Sequence, residues 1–178
     1  MQRRSLDTLA PQGGEREGPS AQRWEGEGHG SSDYKAPRPA PVIIIHSLAH
    51  AVAALSAAAE VGRPVILASA PDAGIYAGPG WFGAVLRAAR EAVPAAQFDA
   101  LLDCGDDAGA AMATIRAGIP GVVFTGHADV AARLADIAKQ AGAGLATERP
   151  AAALDLDGPF FADDETVRRR CAELFRSD

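Results

Sequence analysis

The stretch that decides the fold runs from Val42-Ile43-Ile44-Ile45, through small and aliphatic residues between Ser47 and Val61, to Gly62 and then Val65-Ile66-Leu67-Ala68-Ser69. Four β-branched residues in a row leave no polar face, which marks a strand covered on both sides. Ser47 brings a side-chain oxygen suited to capping a helix, and Gly62 a residue suited to ending one. Strand, helix, strand with a crossover of this length is a parallel unit, because a tight turn cannot join parallel neighbours. The alternation continues outward. A loop through Pro71, Gly74 and Gly78-Pro79-Gly80 leads into a predicted helix over 81–92, then a strand Phe98-Asp99-Ala100-Leu101-Leu102 and a helix over 108–117. Gly121-Val122-Val123-Phe124 reads as a fourth strand, 129–140 as a helix, Ala143-Gly144-Leu145-Ala146-Thr147 as a weaker strand, and 164–175 as a last helix. The predicted fold class is therefore α/β: a parallel sheet of about five strands with flanking helices, half-TIM-barrel-like or flattened into a three-layer sandwich.

Composition narrows the function classes. The chain has 178 residues, with 17 Lys plus Arg against 23 Asp plus Glu, a net charge of −6. An acidic chain lacks the clustered positive charge that nucleic acid or an anionic membrane surface requires, so neither partner is expected. No apolar stretch reaches membrane-spanning length, and the start has no short apolar block of a secretory signal. Two cysteines, Cys104 and Cys171, make no disulfide framework, and a cytoplasmic location with reduced thiols is expected. Residues 1–40, rich in Gly, Ser, Pro and charge, read as a disordered tail in which Trp24 and Tyr34 stand isolated. The α/β domain is assigned to 41–150, and 151–178 to a C-terminal extension with a terminal helix.

In parallel α/β folds, chemistry collects at the carboxyl ends of the strands. Those ends carry His46 and Ser47, Ser69 and Ala70, Asp103 and Cys104, Thr125 and His127, then Glu148 and Arg149. Cys104, His127 and His46, with Asp103 and Glu148 nearby in the order of loops, form the candidate metal-ligand set, zinc being the natural ion for such mixed donors. A nucleophilic pair of Cys104 with His46 or His127 is a further arrangement of the same residues. The everyday roles are a small buried thiol for Cys104, a solvated side chain for His127, a backbone-bonded ring for His46 and a structural place inside a helix for His50. Schiff-base chemistry is excluded at these ends, since the only lysines are Lys35 and Lys139. Gly78-Pro79-Gly80 lacks the length and the lysine of a phosphate-binding P-loop.

Two segments resemble class II fructose-bisphosphate and tagatose-bisphosphate aldolases. Pro64-Val65-Ile66-Leu67, with Ala70-Pro71-Asp72-Ala73 and Tyr76-Ala77-Gly78, is similar to that family's second strand and the loop after it. Leu101-Leu102-Asp103-Cys104-Gly105 stands where the family has His-Leu-Asp-His-Gly, and the run from Ile115 to Gly126 resembles its next motif. The resemblance covers roughly Ala51 to Gly126 and implies that Asp103 is the acid–base residue and that Cys104 stands at a zinc-ligand position. It also has gaps. Ala70 replaces an expected serine, Thr125 an expected aspartate, and the second half of the barrel, with its other zinc histidines and phosphate loops, is missing. A second resemblance, to response-regulator receiver domains, rests on Val122 to Val130 with Arg149-Pro150. It implies Asp103 as phosphoacceptor, Thr125 as switch hydroxyl and Arg149 at the family's lysine position, but His46-Ser47 replaces the acidic magnesium-binding pair.

Half a barrel leaves the inner face of its sheet to be shielded by the C-terminal helix (through Phe160, Phe161, Leu174 and Phe175), by flattening, or by a second copy in a homodimer. The reading leans to a degenerate aldolase-like domain that binds a small-molecule ligand or acts as a scaffold without aldolase turnover. Its alternatives are a metal-dependent lyase-like enzyme using Asp103 and Cys104, and a receiver-like signalling module.

Overall fold

The fold is that of a computed structural model, which describes residues 40–157 and 164–177. The strands are β1 (Val42–Ile45), β2 (Val65–Ser69), β3 (Phe98–Asp103), β4 (Gly121–Val123), β5 (Gly144–Ala146) and β6 (Leu154–Asp155). The helices are α1 (Leu48–Glu60), α2 (Ala73–Tyr76), α3 (Gly78–Ala92), α4 (Ala108–Arg116), α5 (Ala128–Gln140) and α6 (Asp164–Ser177). All strand pairs are parallel, in the order β5-β4-β3-β2-β1-β6. The predicted α/β class stands, with one strand more than the pattern suggests. Residues 1–39, 158–163 and 178, and with them nearly all of the tail, Phe160 and Phe161, lie outside the described residues.

Local signals explain most boundaries. Ser47 caps α1 by accepting the His50 N–H at 3.2 Å, and Asp107 caps α4 through the Ala110 N–H at 2.8 Å. Helix α3 begins three residues earlier than the pattern predicts, with Pro79 in its first turn, where a missing N–H goes unused.

Strands β1 to β5 lie side by side in chain order, and right-handed crossovers then put every connecting helix on one face. The helices do form a single row: α6 packs on α1, α1 on α3, α3 on α4, and α4 on α5. This is the half-barrel-like arrangement. Ile43, Ile45, Val65, Leu67, Ala100, Leu102 and Val122 point into the helix layer and are buried. Helix α1 presents Ala51, Ala54, Ala57 and Ala58 to its neighbours, small side chains that let it sit close between the sheet, α3 and α6.

Helix α6 buries Val167, Cys171 and Phe175, spaced four apart along one stripe. The stripe faces α1, and the Arg63 guanidinium lies 5.7 Å from the centre of the Phe175 ring. The expectation that Leu174 and Phe175 would shield the inner face is thus corrected: α6 extends the helix row instead.

On the inner face stand Val42, Ile44, Ala68, Leu101 and Val123, and residues of the β5–β6 link, Arg149 and Pro150, lie over them. That link crosses from one sheet edge to the other. Five strand spacings of roughly 4.8 Å make about 24 Å, and the chain from Ala146 to Leu154 reaches at most roughly 29 Å. The link therefore runs nearly straight across the sheet, as a strap. Its far end is held where the Ala153 N–H donates to the Val42 carbonyl at 2.8 Å and the Leu156 N–H to that of Ile44 at 3.1 Å.

Candidate functional site

Asp103 ends β3 at the carboxyl edge, with its side chain 7% exposed. A carboxylate offers about four acceptor positions, and four donor contacts converge here. The backbone N–H groups of Asp72 (3.0 Å) and Gly105 (2.9 Å) and Arg149 Nη2 (3.2 Å) reach Oδ1, while Arg149 Nε reaches Oδ2 at 2.6 Å. Burial by itself raises the pKa of Asp103, but the Arg149 bond, helped by the two backbone donors, outweighs it and holds the carboxyl below its ordinary value. The guanidinium, raised in turn chiefly by its bond to Asp103, also donates from Nη2 to Asp72 Oδ1 at 2.8 Å. Two carboxylates therefore share one guanidinium, in a cluster of net charge −1.

The loops around Asp103 are shaped for it. Asp72 is the one non-glycine residue with positive φ (61°) among the described residues, a conformation that Asp tolerates better than most. Gly105 has φ +53°, and a Cβ there would collide with the Asp72 carboxylate. Ser69, at the end of β2, accepts the Asp103 N–H at 2.9 Å and donates to the Ala70 carbonyl at 3.0 Å.

The other predicted site residues are dispersed. Cys104 follows Asp103, yet it points the opposite way, into the helix layer. It is fully buried with its Sγ 3.3 Å from Thr114 Oγ1, and burial pushes its thiol pKa up. That is the small buried thiol, not an activated one. His127 caps α5, its Nδ1 accepting the Asp129 N–H at 3.3 Å and its side chain 75% exposed. His46 ends β1 and pairs through Nε2 with Asp155 Oδ1 at 2.8 Å, so its partner is a carboxylate on β6, where a backbone group was expected. His50 accepts the His46 backbone N–H at Nδ1 (3.3 Å), and burial lowers its pKa. Thr125 and Glu148 are exposed, and neither joins the Asp103 cluster through its side chain.

Cys104, His46 and His127 are thus not brought together, and among the described residues no three His, Cys, Asp or Glu side chains form a group able to hold a metal ion. The sequence flagged Asp103 and Arg149 separately as strand-end residues; it gave no sign of their contact, nor of Asp72 and Asp155 as partners.

The cavity beside Asp103, under the strap, holds about 30 Å³, room for one or two waters. Larger hollows lie away from it, about 440 Å³ along α3 beside Arg87, Arg90 and Phe98, and about 450 Å³ between α1 and α6. Neither contains any of the predicted site residues, so the chemistry, not the volume, marks the carboxyl edge as the candidate site. Among the described residues, no helix is long and apolar enough to cross a membrane. No protein-family model matches the chain, and no curated protein matches it significantly.

Proposed function

We propose that the chain is a small-molecule-binding domain on an aldolase-like half barrel, working without aldolase turnover. One observation carries this reading: the carboxylate that the aldolase resemblance makes the acid–base group is held by four donor contacts, two of them from Arg149. A group that shuttles protons needs a free lone pair aimed at the substrate and a pKa near the working pH. Asp103 receives three donors at Oδ1 and the Arg149 Nε–H at Oδ2, and its pKa is held below the ordinary carboxylate value. The cluster's charge of −1 also disfavours the phosphates of a ketose bisphosphate. The receiver-like alternative has less behind it, because receiver sheets run 2-1-3-4-5 with β1 inside β2 and β3, whereas here β2 lies between β1 and β3.

The test offers fructose 1,6-bisphosphate and tagatose 1,6-bisphosphate to the full chain with zinc, and follows triose phosphate release beside urea melts of Asp103→Asn. The reading expects no cleavage above zinc alone and a less stable variant. Zinc-dependent cleavage that the variant abolishes at unchanged stability overturns it.

A further inference from the structure

We propose that the groove along α3 is a binding site for a small amphipathic carboxylate, with Arg87 and Arg90 taking the acid group and the apolar walls the body. The proposal goes beyond the carboxyl-edge reading and stands on a different part of the fold.

The groove holds about 440 Å³, within the range of small-molecule sites. Helix α3 lines one side, and the turn from Ala117 to Pro120, with Phe98 of β3, lines the other. Its walls include buried Leu86 and Ile119 and half-buried Phe98. Gly80 and Gly118 leave it open, since a Cβ at either would meet no atom within 4 Å. From Gly80 to Arg90 the helix rises roughly 15 Å, so small residues stand at one end and both charges at the other.

The charges are placed for one anion. Arg87 and Arg90 stand three apart on α3, which puts them on one face with about 5–6 Å between Cβ atoms. No Asp or Glu lines the groove, in a chain whose net charge is −6. Among the described residues neither guanidinium has a hydrogen-bond or ion-pair partner, and Glu91, one turn beyond Arg87, does not pair with it. Arg90 lies 4.3 Å from the centre of the Phe98 ring, a contact that holds the guanidinium at the groove wall and leaves its N–H donors to a ligand. Two like charges one turn apart repel, and a carboxylate bound between them relieves that repulsion through the paired N–H bonds a guanidinium offers.

The apolar walls select the rest of the ligand. An exposed ion pair alone is worth little in water, so a bare anion gains almost nothing here. A carboxylate with an apolar body also removes its own surface and that of Leu86, Phe98 and Ile119 from water.

The experiment uses the full chain at pH 7 with 2-naphthoate and octanoate as probes. The controls are 2-naphthamide, which lacks the charge, and acetate, which lacks the body. Calorimetric titration is expected to give a Kd below about 1 mM for both probes and at least roughly tenfold weaker binding of either control. The amide NMR resonances of Gly83, Gly118 and Ile119 are expected to move with the probes. Arg87→Gln combined with Arg90→Gln is expected to weaken both probes at least roughly tenfold with circular dichroism unchanged. Ala84→Trp, which fills the groove and keeps both charges, is expected to weaken them to the level of acetate.

Absence of saturable binding at the highest soluble probe concentration overturns the proposal. So does 2-naphthamide or acetate binding as tightly as 2-naphthoate, a double-arginine variant that binds like wild type, or resonance shifts confined to residues outside the groove. If the double variant does not fold, the wild-type resonances and Ala84→Trp decide. Bisphosphate cleavage would refute the non-catalytic reading without moving any of these signals, so the two failures are separable.

Discussion

Replacing Arg149 by Met removes the charge from the clamp while keeping most of the stem on the strap. Removing one partner of a fully buried ion pair costs about 3–5 kcal/mol, whereas an exposed pair is worth about 0–1 kcal/mol. This pair is asymmetric: the Asp103 side chain is 7% exposed and that of Arg149 is 44% exposed. Solvent screening at the arginine and the two backbone N–H bonds left to Asp103 place the loss between those limits, at about 2 kcal/mol. For a domain of this size that is roughly 4–8 °C in Tm.

The pH dependence has a fixed sign. The folded pKa of Asp103 is depressed, so its contribution is fully present above the unfolded value near 3.9 and is lost as pH falls through the folded value. Urea titrations of wild type and Arg149→Met are expected to differ by about 2 kcal/mol at pH 7, and the gap is expected to shrink progressively below about pH 4. A gap under about 0.5 kcal/mol at pH 7, or one of equal size at pH 3, refutes the claim that the buried carboxylate needs its guanidinium.

Three further outcomes follow from the same loops. At Gly74 an added Cβ would lie 2.6 Å from Cys104 Sγ and 2.9 Å from the Asp103 carbonyl oxygen; Gly74→Ala is expected to cost about 2–3 kcal/mol in urea melts, with Cys104→Ala recovering only part, since the backbone clash remains. Burial raises the pKa of both thiols, that of Cys171 to about 11; at pH 8 a disulfide reagent is expected to label the native chain at least roughly a hundredfold more slowly than the urea-unfolded chain, and fast native labelling of either residue contradicts its placement. At Asp72, glycine relieves roughly 1–2 kcal/mol of left-handed strain and loses an exposed ion pair worth about 0–1 kcal/mol. Asp72→Gly is therefore expected to melt within a few degrees of wild type and Asp72→Val well below both.

The strand–helix alternation was legible because each long element carries its own period and its own stop signals. Strand β6 was not. Leu154-Asp155 has no pattern of its own and becomes a strand only because β1 offers a free edge, with the Ala153 and Leu156 N–H groups donating to Val42 and Ile44. Gly78-Pro79-Gly80 reads as a loop by composition, yet all three residues begin α3. The Asp103–Arg149 contact was illegible for a different reason. It depends on how a link of irregular residues crosses the sheet, which local periodicity does not encode.

One signal within reach would have dispersed the proposed metal ligands. Side chains alternate along a strand, so Asp103 and Cys104 cannot both serve a site on one face, and Cys104 duly turns inward to Thr114. The positions that continue the inner-face alternation are His46 after β1, Ala70 after β2, Asp103 in β3 and Thr125 after β4. His46 and Asp103 are then two strand spacings apart, roughly 10 Å between backbones, and the position between them is an alanine. Each finds a partner elsewhere, His46 in Asp155 on β6 and Asp103 in Arg149 on the strap. The carboxyl edge thus carries two ion-paired clusters, His46 with Asp155 and Asp103 with Asp72 and Arg149, and the position between His46 and Asp103 is Ala70.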